Sequence, residues 1–232
     1  MFAKDVMTTA VLTALPGTDV REIAGMLLER RISAVPIVDE RGTLRGIVSE
    51  GDLMNRSESD TRHRRSWWLK LVTAPDQQAR EYLRAHGTRA EDVMTTDVIT
   101  VTEDTPVAKI AALLERHRIK RVPVVRDGKV IGIVSRANLL QGLAAGRSVS
   151  EAKREDREIR EALLDAMDEA GLPMYQVNVV VTDGVVQLWG AVESEVQQHA
   201  ARAAADSTPG VKRLEDHLGI LPTVVRIAHG GV

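Results

Sequence analysis

The 232-residue sequence contains no cysteine. Disulfide bonds and thiol catalysis are therefore excluded, and a metal site would need histidine and carboxylate ligands. The six histidines show no metal-ligand spacing, so we expect no metal. The formal net charge of -2 lacks the basic excess that nucleic-acid binding by the whole chain requires. Nucleic acid is therefore not an expected partner.

Neither an export signal nor a membrane-spanning stretch is predicted from the sequence. Residues 1–6 lack the basic start and long apolar run of a signal peptide, and no apolar run approaches membrane-spanning length. We therefore expect a cytoplasmic protein. The chain contains no Gly-x-x-x-x-Gly-Lys, Gly-x-Gly-x-x-Gly, Gly-x-Ser-x-Gly or His-Glu-x-x-His motif. The absence of these catalytic and nucleotide-binding motifs favours a protein that is not an enzyme.

An internal repeat occupies much of the sequence. Asp-Val-Met-Thr-Thr at residues 5–9 returns intact at 92–96, and the stretch 46–53 returns as 132–139. The second copy is one residue shorter than the first, and the missing residue lies in a polar, glycine-containing connection. Hairpin loops vary in this way, so a hairpin is predicted at that point in both copies.

Each copy has the predicted element order β-α-β-β-α. The first strands are predicted at residues 11–14 and 98–101. The helices that follow begin at good capping residues, Thr18-Asp19 and Asp104-Thr105-Pro106. Apolar residues at helical spacing then place one face of each helix against a core. The remaining strands of the two copies are predicted at 34–38, 44–49, 121–125 and 130–135.

The end of the last strand in each copy is the candidate ligand site. Ser49 lies where a helix exposes unpaired N–H groups, which suits a phosphate, and Asp52 can accept hydrogen bonds from a pair of ribose hydroxyls. The same Ser-x-x-Asp pattern is also a capping box, which stabilises a helix without a ligand. In the second copy Ser135 is followed by Asn138, whose amide has one uncharged acceptor oxygen. We therefore expect two inequivalent sites, with the weaker grip in the second copy.

The h-x-P turn and the Gly-h-h-Ser-x-x-Asp/Asn ending, present in both copies, closely resemble a tandem pair of cystathionine β-synthase (CBS) domains. The resemblance covers residues 1–57 and 88–146. It implies a regulatory module with two clefts that bind adenosine nucleotides or related ligands, and it implies a homodimer assembled as a disc. We expect a small-molecule adenosine ligand, namely AMP, ADP, ATP or S-adenosylmethionine, and no required cofactor.

The resemblance also implies which residues line each cleft. Ser49 and Asp52 would work with residues of the other repeat, Ile99, Ile119 and Lys120. Ser135 and Asn138 would likewise work with Leu12, Ile32 and Ser33. The apolar members would sandwich an adenine, although core packing explains Ile32 and Ile119 equally well. Cations beside the clefts favour a ligand with several phosphates. The alternative is that these cations only lie at solvated helix ends. The candidates are Arg30, Arg31, His117, Arg118 and Arg121.

Residues 58–87 form an inserted connection between the repeats. Arginines precede Trp67 and Trp68, a combination that suits phosphate or a lipid headgroup. The favoured interpretation is that the tryptophans bury in an interface and the arginines stay solvated. The later part is predicted to be a helix through Ala79 and Tyr82 that ends at Gly87.

The C-terminal region has a different predicted order, α-β-β-α-β, which gives an α+β chain overall. Asp183-Gly184 between two apolar strands is a strong hairpin signal. With Gly-Val-Val-Gln-Leu-Trp-Gly-Ala-Val at 184–192 and Pro209-Gly210 before the last strand, residues 154–222 resemble a BON domain. Members of that family are proposed to contact phospholipid or other proteins. Residues 223–232 are expected to be a frayed tail.

These observations predict a sensor in which the CBS pair binds an adenosine-type ligand and the BON domain relays or localises the signal. An unidentified protein, or the chain's own CBS disc, is the expected BON partner. Two alternatives stay open. In the first, the chain is a ligand-free dimeric scaffold. In the second, which is not favoured, it contacts a membrane through the Arg/Trp insert and the BON domain.

Overall fold

A computed structural model of the chain describes residues 1–59, 83, 86–145 and 153–221. The chain divides into two compact units. The repeat-1 unit comprises Leu12–Thr100 and Arg126–Val130, and the repeat-2 unit comprises Met1–Val11, Val101–Val125 and Ile131–Val232.

The described residues form both helices and strands, and the predicted α+β class is confirmed. In chain order the elements are α1 (Ala3–Val6), α2 (Val20–Glu29), β1 (Ala34–Val38), β2 (Leu44–Ser49), α3 (Glu50–Ser59), α4 (Ala90–Val93), α5 (Val107–Arg116), β3 (Arg121–Arg126), β4 (Lys129–Ser135), α6 (Arg136–Ala144), α7 (Arg154–Glu169), β5 (Val177–Thr182), β6 (Val185–Val192), α8 (Glu195–Ser207) and β7 (Arg213–Ile220). Strands pair as β1-β2, β3-β4 and β5-β6-β7.

The first long helix of each repeat starts close to its predicted cap. Asp19 caps α2 by accepting a hydrogen bond from the backbone N–H of Arg21 at 2.7 Å. Ile23 and Leu27, on the predicted core face, are 0% and 5% exposed. Pro106 is the N-cap of α5 instead of a first-turn residue, because that helix begins one residue later.

The predicted hairpins are present in both repeats. In the first, β1 and β2 are antiparallel with Ala34 opposite Ser49. In the second, Asp127 and Gly128 have φ angles of 52° and 77°. Two consecutive positive φ values are typical of the tight turns that join antiparallel strands. The hairpin places the start of its first strand beside the end of its second.

The repeats exchange the segments that precede their first helices. Thr8 pairs with Ile133 of β4 through two backbone hydrogen bonds of 3.0 and 2.9 Å, within the repeat-2 unit. Thr95 pairs with Ile47 of β2 through bonds of 2.9 and 3.0 Å, within the repeat-1 unit. We call residues 1–9 and 88–96 the lead-in segments. The first lead-in segment, which precedes repeat 1 in the sequence, therefore packs in the repeat-2 unit. The second, which precedes repeat 2, packs in the repeat-1 unit.

The glycine of each Gly-h-h-Ser motif makes room for the methionine of a lead-in segment. A Cβ atom on Gly46 would lie 2.5 Å from Sδ of Met94. A Cβ atom on Gly132 would lie 2.5 Å from Sδ of Met7. Real Cβ atoms do not approach sulfur so closely, and side-chain packing at native density leaves no slack to absorb the contact. The Gly-h-h-Ser motif and the Asp-Val-Met-Thr-Thr motif therefore pack against each other in each unit.

The short strands predicted at residues 11–14 and 98–101 are shorter in the structure. Ala14 forms a single parallel bridge to Ile37, and Val101 forms one to Val124. The bridges involve only one ladder position each, so these segments are extended connections that touch the hairpins.

The C-terminal region has the predicted order α-β-β-α-β. Ile159, Leu163 and Met167 of α7 face a core and are at most 7% exposed. Asp183 and Gly184 join β5 to β6 with φ angles of 53° and 78°. Strand β7 then pairs parallel to β6, which gives the order β5-β6-β7.

Several predictions concern residues outside the described part of the chain. They are the Arg/Trp cluster with Trp67 and Trp68, most of the helix predicted before Gly87, and the tail at 223–232. Among the described residues, no helix has the length and apolar character needed to cross a membrane.

Candidate functional site

Asp52 forms a capping box with Ser49 at the start of α3. Its Oδ2 atom accepts hydrogen bonds from the backbone N–H of Ser49 at 2.8 Å and from the Ser49 hydroxyl at 2.5 Å. The backbone N–H of Asp52 donates in return to Ser49 Oγ at 3.4 Å. The capping geometry that the sequence left open is therefore present.

The other carboxylate oxygen of Asp52 is used differently. Oδ1 accepts a hydrogen bond from the Thr95 hydroxyl at 3.2 Å. A carboxylate has about four acceptor positions, so one remains on Oδ1, and the Thr95 hydroxyl keeps its own lone pairs. Both residues are half-buried. We call Ser49, Asp52 and Thr95 the Asp52 site; it presents two adjacent oxygen acceptors.

Thr95 was not among the residues predicted from the sequence. It belongs to the repeated Asp-Val-Met-Thr-Thr motif, and its counterpart in the first copy is Thr8. The intact recurrence of that motif was a signal that its threonine has a role in both repeats.

Asn138 occupies the equivalent position in the second repeat. Its Oδ1 atom accepts from the backbone N–H of Ser135 at 2.8 Å and from the Ser135 hydroxyl at 2.6 Å. A backbone N–H can only donate, so this bond fixes which end of the amide is the oxygen. The Nδ2 atom donates to the Thr8 hydroxyl at 3.3 Å. We call Ser135, Asn138 and Thr8 the Asn138 site.

The two sites differ in hydrogen-bond polarity and in exposure. Asp52 accepts from its threonine, whereas Asn138 donates to its threonine. The Asn138 oxygen already accepts two hydrogen bonds, so the amide offers a ligand only an uncharged donor, beside an uncharged Thr8 hydroxyl. Asn138 is also only 5% exposed. The two turns therefore differ in polarity and exposure, while the weaker grip expected for the second site stays a prediction.

The resemblance assigns Ser33 and Lys120 to the turn of the opposite repeat, and that assignment stays a prediction; in the structure each also lies beside the turn of its own repeat. The backbone N–H of Glu50, next to Ser49, donates to the Ser33 carbonyl at 3.1 Å. The backbone N–H of Arg136, next to Ser135, donates to the Lys120 carbonyl at 3.1 Å. The hairpin brings the start of its first strand to the end of its second, so each residue lies beside the turn of its own repeat.

The other predicted cleft residues are half-buried, and they are distributed over the two units. Leu12, Ile32 and Ile99 lie in the repeat-1 unit, and Ile119 lies in the repeat-2 unit. Ile32 packs against the core of its unit, so core packing accounts for part of its burial. The Ile119 carbonyl accepts a hydrogen bond from Arg136 Nη2 at 3.2 Å, which places it close to Ser135.

Two of the predicted cations have left-handed backbone conformations. Arg31 and Arg118 follow α2 and α5 with φ angles of 51° and 53°. The backbone N–H of Ile32 donates to the Leu27 carbonyl at 3.1 Å, which closes the helix in a Schellman motif. Glycine is usual at this position because L-residues are strained there. Most of the predicted cations are solvent-exposed, namely Arg30, Arg31, His117 and Arg118, while Arg121 is half-buried.

Comparison with known families decides what these repeats are. The CBS domain family model matches residues 3–59 and 90–145. The BON domain family model matches residues 155–222. The chain is a tandem CBS-domain protein with a C-terminal BON domain. The resemblance inferred from the sequence is confirmed for both families.

Two relatives each match about 60% of this chain. CBSX2, a chloroplastic CBS domain-containing protein of Arabidopsis thaliana, is 31% identical over 150 residues, which are 60% of this chain and 59% of CBSX2. This chain therefore spans less than two thirds of CBSX2. An uncharacterized protein of Methanocaldococcus jannaschii, MJ1426, is 30% identical over 154 residues, which are 62% of this chain and 91% of that protein.

A solved structure has the same CBS-pair fold. It is a crystal structure of CBSX2 in complex with AMP, with a TM-score of 0.54 and 27% sequence identity to this chain. The match covers 63% of this chain and 99% of that one.

Proposed function

We propose that this protein is a cytoplasmic, non-enzymatic regulator that binds an adenosine nucleotide in its CBS pair and relays the bound state to its BON domain. The observation that carries the proposal is the pair of acceptors at the Asp52 site. Asp52 Oδ1 and Thr95 Oγ1 lie 3.2 Å apart and are half-buried.

Two adjacent acceptors match the vicinal hydroxyls of a ribose. One hydroxyl donates to the Asp52 carboxylate in a charge-assisted hydrogen bond, and the other donates to the Thr95 oxygen. Ser49 holds the opposite carboxylate oxygen with two hydrogen bonds. The carboxylate is therefore already oriented before a ligand arrives, which lowers the entropy lost on binding. The capping box and the ligand site are compatible uses of one side chain.

The relative with a known ligand supports an adenosine compound. CBSX2 was crystallised with AMP, and its CBS pair resembles that of this chain. ADP, ATP and S-adenosylmethionine carry the same adenosine group and remain candidates. Arg31 and Arg118 keep strained backbone conformations where glycine would fit better. Strain retained at the same position in both repeats suits a role for the side chains, and we assign them to ligand phosphates.

The Asn138 site is the weaker of the two in this proposal. It offers an uncharged donor in place of a carboxylate acceptor, and hydrogen bonds to ions are roughly twice as strong as neutral ones. The protein thus has one tight site and one weak site, and the weak site is the one whose occupancy changes at higher nucleotide concentration.

We also propose that the CBS pair forms a homodimer through α3 and α6. Met54 on α3 is 70% exposed, and Leu140 and Leu143 on α6 are 65% and 69% exposed. The helix that follows the Ser-x-x-Asp/Asn motif thus carries exposed apolar side chains in both repeats, which suits a symmetric self-association surface. Light scattering on Met54→Glu and Leu140→Glu should show monomers. Leu28→Glu on α2, where the side chain is 78% exposed, should remain a dimer.

Calorimetric titration with AMP, ADP, ATP and S-adenosylmethionine tests the ligand. The sharpest variant is Asp52→Asn, which keeps the capping oxygen but replaces the Oδ1 acceptor with an amide donor. We expect the tight binding event to be lost in this variant and kept in Ser135→Ala. Equal affinities for Asp52→Asn and the unmodified chain would reject the Asp52 site.

The alternative is a ligand-free dimeric scaffold. It is favoured by the capping boxes at Ser49 and Ser135, which are complete without a ligand. In that case the melting temperature would be the same at every nucleotide concentration, because only a ligand that binds the folded state raises it.

A further inference from the structure

Arg160 is a buried cation that fastens the BON domain to the first lead-in segment. It lies on α7 and is 6% exposed. Its Nε atom donates to the Val179 carbonyl at 2.9 Å, and its Nη2 atom donates to the Met7 carbonyl at 2.7 Å. One side chain therefore joins a strand of the BON sheet to the residue before Thr8.

The charge of Arg160 is costly where it lies. Burial lowers the pKa of Arg160 to about 10, opposed by the negative charge of Asp5. The guanidinium therefore stays protonated at neutral pH. Asp5 is itself 6% exposed and accepts a hydrogen bond from Arg157 Nε at 2.9 Å. An apolar side chain of similar volume would often fill such an interface at least as stably, so the cation points to a positional role.

The Met7 carbonyl leads directly to the Asn138 site. Thr8 follows Met7 and is bonded to Ile133 of β4 by two backbone hydrogen bonds. Its hydroxyl accepts the hydrogen bond of Asn138 Nδ2 at 3.3 Å. Movement of the Met7 carbonyl therefore moves the hydroxyl that faces Asn138.

A second hydrogen bond from the BON domain reaches the same site from the helix side. Asn178 of β5 is 5% exposed, and its Nδ2 atom donates to Gln141 Oε1 at 2.7 Å. Its buried Oδ1 atom has no hydrogen-bond partner among the described residues, so the bond to Gln141 orients the amide. Gln141 follows Asn138 by three residues on α6, and such residues lie on one helix face.

We propose that Arg160 and Asn178 couple the BON domain to the Asn138 site, so that the BON domain responds to the weak site of the CBS pair. The inference rests on the proposed function for its ligand. The coupling itself is a property of the ligand-free chain. Arg160 is a positioning residue that acts through Met7 and Thr8. Coupling free energies are reciprocal, so a change at either end must be felt at the other.

The forward test is amide hydrogen exchange of the full chain carrying Arg160→Met. We expect the amides of Thr8 and Ile133 to exchange about fivefold faster or more, the lower end of typical coupling effects. The equivalent amides of Thr95 and Ile47 are the internal control and should be unchanged. Arg160→Lys, which keeps the charge and can reach one carbonyl, should restore part of the protection. Faster exchange confined to α7 and β5 would overturn the proposal.

The reverse test perturbs the Asn138 site and observes the BON domain. Thr8→Val removes the acceptor of Asn138 without disturbing the capping box, and Asn138→Ala removes both. Each should speed exchange in α7 and β5 by about fivefold or more. Thr95→Val and Asp52→Asn are the matched controls in the other repeat and should leave the BON amides unchanged. Equal effects of the variants in the two repeats on BON amide exchange would overturn the coupling between the BON domain and the Asn138 site.

Titration of the same variants with AMP separates this proposal from the function it rests on. Arg160→Met should leave the affinity of the Asp52 site within about twofold, since that site lies in the other unit. Loss of AMP binding in the unmodified chain would remove the proposed ligand. The exchange results would still decide whether the BON domain and the Asn138 site are coupled.

Discussion

Asp52 accepts a hydrogen bond from Thr95, whereas the equivalent residue of the second repeat, Asn138, donates one to Thr8. One substitution between the two copies thus reverses the direction of a hydrogen bond at the candidate site. Asp52 leaves oxygen acceptors for a ligand, and Asn138 leaves an amide donor. Two equivalent turns therefore present different hydrogen-bonding groups.

Thr95→Val should weaken AMP binding at the Asp52 site. Valine has nearly the shape of threonine but cannot accept a ribose hydroxyl, so the dissociation constant should rise about two- to tenfold. Calorimetric titration measures the change. Thr95→Ser keeps the hydroxyl and should bind AMP nearly as the unmodified chain does. If valine and serine have equal effects, the hydroxyl is not a ligand contact.

Asn138→Asp should strengthen the second site. The substitution restores the acceptor that Asp52 provides in the first repeat, and we expect an affinity gain of about tenfold for AMP. The measurement is best made with Asp52→Asn already in place, so that only the second repeat has a carboxylate. The control is Asn138→Ala in the same background. A chain that binds AMP no better with aspartate than with alanine would contradict the polarity argument.

Arg31→Gly should stabilise the fold and weaken nucleotide binding at the same time. Glycine adopts the φ of 51° without the strain of an L-residue, so urea denaturation should show a gain of about 1 kcal/mol. The affinity for ATP should fall while that for adenosine is kept, because adenosine has no phosphate. If ATP affinity is unchanged, the strain at Arg31 has another cause.

Gly46→Ala should destabilise the repeat-1 unit. Its Cβ atom would lie 2.5 Å from Met94 Sδ and 2.9 Å from the Thr95 carbonyl, so backbone as well as side chain must shift. Overpacking of this kind costs about 1–3 kcal/mol, measurable by urea denaturation. Gly25→Ala on α2 is the control, since nothing lies within 4 Å of its added Cβ. That variant should gain about 0.5–1 kcal/mol, and a loss at both positions would contradict the packing argument.

Local sequence signals predicted the elements well because each depends on neighbours in the chain. Asp19 as a cap, the apolar stripe through Ile23 and Leu27, and the Asp183-Gly184 turn are all local features, and all are present. The position of Ser33 beside Ser49 could also have been predicted. Pairing the ends of the predicted hairpin is sufficient to place it.

The contacts that cross the sequence could not be predicted in the same way. Thr95 lies 43 residues from Asp52 and Arg160 lies 153 residues from Met7 along the chain. Periodicity and capping patterns carry no information about which segments exchange between repeats. The repeated Asp-Val-Met-Thr-Thr motif indicated a shared role, and only the fold shows which partner each threonine has. A single arginine on a helix, such as Arg160, gives no sequence signal of burial.

Recognition of a ribose diol by Asp52 and Thr95 is tested most directly by comparing AMP with 2′,3′-dideoxy-AMP in calorimetric titrations of the unmodified chain. Losing both hydroxyls removes one hydrogen bond to a carboxylate and one to Thr95, so the dideoxy compound should bind about ten- to a hundredfold more weakly at the tight site. Equal dissociation constants for the two nucleotides would contradict the assignment of the Asp52 site.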